Sequence, residues 1–214
     1  MGEQQRPEVV PLDLLDRAVL RRRAVSVALG AILVAAAFGG IIGLLAGQVA
    51  GLVTATVLGV PLLLLAVSEA RRRIWLEGAS VVVRAIGTRR VDLRDADFDL
   101  LLTDARGTRT VGMFVRERSK GRKATNVALA IYSGTGGREL GILPLRRLAD
   151  TLAGVGDPAA LLYSELLVAQ LRSEARGDAA QERPLHQLAS LAPGGRLAQK
   201  LTPDAVARFV TSLG

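Results

Sequence analysis

At 214 residues, with a formal net charge of +8, no cysteine and one histidine, the chain has room for about one ordinary domain beside any membrane segment. The lack of cysteine excludes disulfides and thiolate metal sites, and the single imidazole, His186, cannot build a histidine cluster for zinc. Aromatic residues make up only 3% of the chain, too few for base-stacking platforms, so no nucleic-acid partner is expected.

In chain order, Pro11 to Arg23 carries Leu12, Leu15 and Val19 at helical spacing with Asp13, Asp16 and Arg17 between them. That spacing predicts a short amphipathic helix at a membrane interface, within an N-terminal cytoplasmic segment of residues 1–23. From Ala24 to Ser68 there follow 45 residues without a charged side chain, bracketed by Arg21-Arg22-Arg23 and Arg71-Arg72-Arg73. As one helix this run would be roughly 67 Å long against a bilayer core of about 30 Å, so it must double back as a transmembrane hairpin. The break is placed near Ala46-Gly47-Gln48, giving spans of about 24–45 and 49–67, with Pro61 expected to kink the second. A secretory signal would have an apolar region of only about 7 to 15 residues. Arginines flank the outer ends of both spans and the turn is uncharged, which predicts a multi-pass bacterial plasma-membrane protein with both termini cytoplasmic.

Small residues recur every fourth position as Ala35, Gly39, Gly43 and Gly47, then as Gly51, Ala55 and Gly59. Such faces let helix backbones approach closely, either within one hairpin or between two copies of the chain. The positive excess sits just after the spans: residues 69–126 hold 14 basic groups against 8 acidic ones. For a tethered domain this favours anionic lipid headgroups as a partner.

Past Arg73, period-two alternation predicts strands at 80–86 and 88–93, then at Ala96 to Leu102, Val111 to Val115, Val127 to Ile131 and Leu140 to Ile142. Turns are expected at Gly87, at Asp104 to Gly107 and at Ser133 to Gly137, and Ile74 to Leu76 is a further short strand candidate. The β domain is bounded at 69–155. Helix signals return at Pro144, with Leu145, Leu148 and Leu152 on one face until Gly154. Asp157-Pro158 caps a helix of 156–174 that is apolar nearly all round and so must be covered on more than one side. Residues 175–214 are expected to be a polar linker, short helical pieces around Leu185 to Leu191 and Leu197 to Leu201, and an amphipathic helix opened by Thr202-Pro203-Asp204.

A two-helix hairpin, a basic juncture, short strands and a closing helix together resemble the bacterial pleckstrin-homology-like membrane proteins. The local likeness is Trp75-Leu76-Glu77-Gly78-Ala79-Ser80-Val81-Val82-Val83-Arg84, then Gly87-Thr88-Arg89-Arg90-Val91-Asp92-Leu93-Arg94-Asp95-Ala96, which looks like that family's opening hairpin. The resemblance implies an α+β membrane protein whose β domain is an antiparallel sandwich or barrel of two orthogonal sheets capped by a helix. It also implies adaptor, oligomerisation or lipid-proximal roles without catalysis. The chain departs from the family in its long helical tail and in lacking a lysine-rich inositide pattern at Gly87 to Arg90.

Other patterns carry less. Asp95, Asp97 and Asp99 have calcium-loop spacing, but position six would be Leu100 and position twelve Arg106, so they read as the wet face of a strand. Gly134, Gly136 and Gly137 lack a following Gly-Lys-Ser/Thr and join two strands. His186 has no acid-base partner nearby in sequence, and no serine or threonine is marked as an activated nucleophile. No enzyme activity, cofactor or metal is therefore expected. Arg116, Arg118, Lys120, Arg122 and Lys123 form the densest basic run and are the candidates for headgroup contact. The expected role is a membrane-anchored scaffold or interaction module with a protein partner or a second copy of itself. The alternative is an accessory subunit of a membrane enzyme or transporter.

Overall fold

The computed structural model describes residues 9–14, 17–85, 87–119, 124–134, 136–195 and 198–212. The chain divides into two compact units. One comprises Met1–Leu14, Arg73–Val83 and Thr88–Gly214, the other Leu15–Arg72 and Arg84–Gly87.

The smaller unit is a helical hairpin, α1 (Arg17–Ala46) and α2 (Gln48–Arg71), joined by Gly47 alone. Gly47 has φ +95°, a conformation that a side chain at Cβ disfavours, so the expected break falls on the one residue type that can make it. Within these helices, Ala24–Ala46 and Gln48–Ser68 are each long and apolar enough to cross a bilayer, at 23 and 21 residues. Helix α2 continues through Pro61.

The larger unit is built on two antiparallel sheets. The first has the order β1 (Val9–Pro11), β2 (Arg73–Glu77), β3 (Ser80–Arg84) and β4 (Thr88–Asp92). The second contains β5 (Ala96–Ala105), β6 (Thr108–Glu117), β7 (Ala124–Ser133), β8 (Gly136–Glu139) and β9 (Gln199–Leu201), in the order β8-β7-β6-β5-β9. Strands β5 and β6 pair over ten residues, from Ala96 opposite Glu117 to Ala105 opposite Thr108, and turn through Arg106 and Gly107, both at positive φ. The alternation read from sequence sets the core: Phe98, Leu100 and Leu102, Val111, Met113 and Val115, and Val127 and Leu129 are all buried. A bulge between Val111 and Gly112 places an extra residue on β7.

Among the described residues, four α-helices complete this unit: α3 (Ile142–Ala153), α4 (Pro158–Arg176), α5 (Pro184–Ser190) and α6 (Pro203–Thr211). Asp157 caps α4 as expected, its carboxylate accepting from the Ala159 and Ala160 amides, and Gly177 closes it in the left-handed conformation. α3, α5, α6 and β5 all pack against α4, which is how a helix apolar nearly all round is accommodated. Leu161 stays half exposed.

Several sequence expectations are corrected. Pro11 to Arg23 is not one amphipathic helix: Pro11 ends a strand, Leu12 and Leu14 are buried in the β unit, and among the described residues helix α1 starts at Arg17. The apolar spacing of Leu12 and Leu15 mimicked a helix, but an open edge on β2 supplies hydrogen bonds to an extended segment. Val9 pairs with Glu77 and Pro11 with Trp75, and the Leu12 amide donates to the Ile74 carbonyl at 2.9 Å. The strand expected at Leu140 to Ile142 is instead β8 at Gly136–Glu139, and Ile142 opens α3, with Pro144 in the first turn where its missing N–H is not needed. Gln199 to Leu201, expected to be helical, extends along the free edge of β5, Lys200 opposite Leu101. Leu197 lies outside the described residues.

The β unit is therefore discontinuous in sequence, which has a direct experimental consequence. A fragment of residues 74–214 lacks β1 and Leu12, and it should aggregate or unfold at temperatures where residues 9–13, joined by a short glycine-rich turn to 73–214, give a folded monomer. Size-exclusion chromatography and thermal melts of the two would decide the point; equal behaviour would show β1 to be dispensable.

Candidate functional site

Three places hold the side chains of interest. The first is the hairpin seam. A Cβ placed on Gly51 would lie 2.5 Å from the Gly39 carbonyl oxygen and 2.7 Å from the Gly43 Cα, and one on Gly39 would meet the Ala55 Cβ at 2.7 Å. Ala35 and Gly59 approach similarly, with 3.1 Å between the Ala35 Cβ and a Cβ built on Gly59. Gly39, Gly43, Gly51, Ala55 and Gly59 thus lie where α1 and α2 meet, and Gly47 makes the turn between them. The small residues are there because the two backbones touch.

The second is the base of the basic run. Arg116 is half buried on β6, opposite Asp97. Arg118 is engaged within the fold: its Nε donates to Asp97 at 2.9 Å, while Nη2 donates to Asp157 at 2.9 Å and to the Ala96 carbonyl at 3.2 Å. The Asp157 and Asp97 carboxylates raise the Arg118 pKa, and in return Arg118, helped by the Ala159 and Ala160 amides, holds the Asp157 carboxyl below its usual range. Lys120, Arg122 and Lys123 lie outside the described residues. Of the three aspartates with calcium-like spacing, Asp97 faces Arg118 and buried Asp99 lies 2.8 Å from Lys200 Nζ. The Asp95 carbonyl accepts the Arg118 amide. Among the described residues no three His, Asp or Glu side chains come together as metal ligands.

The third is a polar cluster that sequence reasoning did not find. Glu139, at the end of β8, accepts from the Tyr132 hydroxyl at 2.7 Å, from Gln170 Nε2 of α4 at 3.0 Å and from Arg183 Nη1 at 2.8 Å. Gln170, fully buried, turns its oxygen to the Leu185 amide at the start of α5. Burial, and then the Glu139 carboxylate, push the Tyr132 hydroxyl pKa up, so it donates at every physiological pH. His186 packs edge-on against Tyr132, ring centroids 4.7 Å apart. The cluster fastens the 178–183 connection to the second sheet. No local motif signals it, because its members come from positions 132, 139, 170, 183 and 186.

Helices α4, α5 and α6 also border an open cleft of about 660 Å³ around Val168 and Val210. Its charged rim mixes signs, with Glu165 and Glu182 beside Arg172 and Arg176, and so selects no single ligand class. The comparisons with known proteins add no assignment: no family model, no curated protein and no solved structure matches this chain.

Proposed function

We propose that the chain is a membrane-anchored, non-catalytic scaffold module at the cytoplasmic face of a bacterial plasma membrane, its β unit of pleckstrin-homology-like type. The observation that carries this reading is the way the apolar hairpin is inserted. The chain leaves the β unit after β1 and returns at β2, and those strands pair with each other, so both ends of the hairpin are held within one module. With an odd number of spans the two ends would lie on opposite sides of a bilayer; two spans bring them to the same side, where the arginines would favour the cytoplasm. Two antiparallel sheets, in which β2 to β4 and β5 to β8 are neighbours in chain order and helix α3 follows β8, support the pleckstrin-homology-like reading, although β9 joins the second sheet only after the helices. The paired and packed states of Asp97, Asp99, Arg118, Glu139 and His186 favour a structural role for the titratable groups over a catalytic one.

The chain's lack of cysteine makes the topology directly testable. A single cysteine at Ser119 should be shielded from an impermeant reagent in intact cells and labelled after permeabilisation, whereas one at Gln48 should be labelled in intact cells. The reverse pattern would sink the orientation. Purification in mild detergent then tests the role: a homo-oligomer or a non-enzymatic partner fits a scaffold, and a stoichiometric catalytic partner fits an accessory subunit.

A further inference from the structure

We infer that the β unit meets anionic lipid headgroups through the end of its first sheet that carries Arg73, Arg84 and Arg89. This rests on the reading of the hairpin as a membrane anchor and adds which surface faces the leaflet.

The geometry comes from the sheet itself. Leu12 bonds to Ile74, and β2 starts at Arg73, so the chain departs for the hairpin and returns from it at one end of this sheet. Because consecutive strands run antiparallel, β3 finishes at that same end with Arg84, and β4 begins there with Thr88 and Arg89. The turn between them is closed by the Ala85 amide donating to the Gly87 carbonyl at 2.9 Å. Arg73, Arg84 and Arg89 are all exposed, and none is ion-paired among the described residues. The neighbouring Arg90 differs, being taken up by Glu77 at 2.6 Å.

The opposite end of the sheet holds the base of the basic loop. There the Leu93 amide donates to the Ala79 carbonyl beside the β2–β3 turn, and the Asp95 carbonyl accepts the Arg118 amide. Five-residue strands at about 3.3 Å per residue put roughly 15 Å between the two ends. Charge attraction falls off over about 8 Å at physiological salt, so a leaflet close to one end is screened from the other. Arg118 is moreover occupied by Asp97 and Asp157. Guanidinium groups suit the partner, since their planar fork donates two hydrogen bonds to one phosphate.

The test uses the full chain in nanodiscs of zwitterionic lipid or with about a third anionic lipid. Single cysteines at Thr88, Ser119 or Leu33 carry a dye quenched by spin-labelled lipids. Each arginine near an anionic surface is worth roughly fivefold in local population. The dye at 88 should therefore be quenched several-fold more by headgroup-labelled lipid in anionic discs than in neutral ones. That gain should vanish in high salt and in the Arg84→Glu/Arg89→Glu variant, with the dye at 119 unquenched throughout. Quenching at 119, or quenching at 88 indifferent to lipid charge and to the two substitutions, overturns the inference. The salt series on the unsubstituted arginines keeps it testable if the variant misfolds. The dye at Leu33, on the outward face of α1, reports the anchor separately: no quenching there by acyl-chain-labelled lipid overturns the membrane reading itself.

Discussion

Glu139→Ala is expected to lower the unfolding temperature of the protein by about 6–12 °C, the largest effect of any single polar substitution in the β unit. The reason is what it leaves behind. Arg183 would keep the Asp178 carbonyl at 3.2 Å and the charge of Glu174, while the Tyr132 hydroxyl and the Gln170 amide would each lose their acceptor under cover of α4 and α5. Removing one partner of a buried ion pair costs about 3–5 kcal/mol, and Glu139 and Arg183 keep side-chain exposures of 13% and 24%, which favours the lower end, about 3 kcal/mol. At about 2–4 °C per kcal/mol for a unit of this size, the stated shift follows. Adding Arg183→Met should recover a substantial part of the loss, because the orphaned charge is gone. Thermal melts followed by circular dichroism in mild detergent would test both; a shift under about 2 °C for Glu139→Ala would show that the cluster is incidental to stability.

The second large effect is expected in the hairpin. Gly51→Leu drives a side chain into the backbone of α1 at Gly39 and Gly43, which no rotamer of the leucine can avoid because the collision begins at Cβ. Overpacking of this kind costs about 1–3 kcal/mol or more, enough to reduce the close-packed pairing of the helices about tenfold or beyond. Cysteines at Ala35 and Gly59, with Cβ atoms near 3.1 Å, are a small relaxation away from disulfide spacing. Oxidative cross-linking of that pair should be rapid in the otherwise unaltered chain and slowed at least tenfold by Gly51→Leu. Gly40→Leu is the control, since nothing lies within 4 Å of a Cβ there. Equal cross-linking in all three would mean that the seam tolerates a bulky residue and that the small residues serve another purpose.

What the sequence disclosed and what it concealed divide along physical lines. The uncharged run, its glycine break at Gly47 and the capping pair Asp157-Pro158 were legible because each is a local demand of the backbone or the solvent. The alternation through Phe98, Leu100 and Leu102 was legible because it has the period of a pleated strand with one face buried. Strands β1 and β9 were not, because three residues give no period and what makes them strands is a free edge contributed by distant sequence. Gln199 to Leu201 shows the point well: the spacing of Leu197 and Leu201 fits a helix, and only the edge of β5 decides otherwise. The small residues of the seam could be named from their interval of four, yet which of them meet across the two helices depended on the turn at Gly47. Among the basic run, Arg118 looked like its neighbours, and its attachment to Asp157 is invisible from 39 residues away.

The position of β1 also sets an order of events during synthesis. Val9–Pro11 leaves the ribosome well ahead of its partner Arg73–Glu77, with the whole apolar hairpin between them. At about 5–20 residues per second, the first strand waits for roughly 3 to 12 s with its backbone groups bonded to water and no strand to pair with. Drawing the ends of a floppy connection of that length together would cost roughly 3–4 kcal/mol of chain entropy. A hairpin already folded about Gly47 has its two ends side by side, so that cost falls on helix docking and not on sheet formation. The arrangement works as an assembly checkpoint: a nascent chain whose helices have failed to dock cannot readily close its first sheet, and it presents an unpaired β2 edge and an empty Leu12 socket to the quality-control machinery.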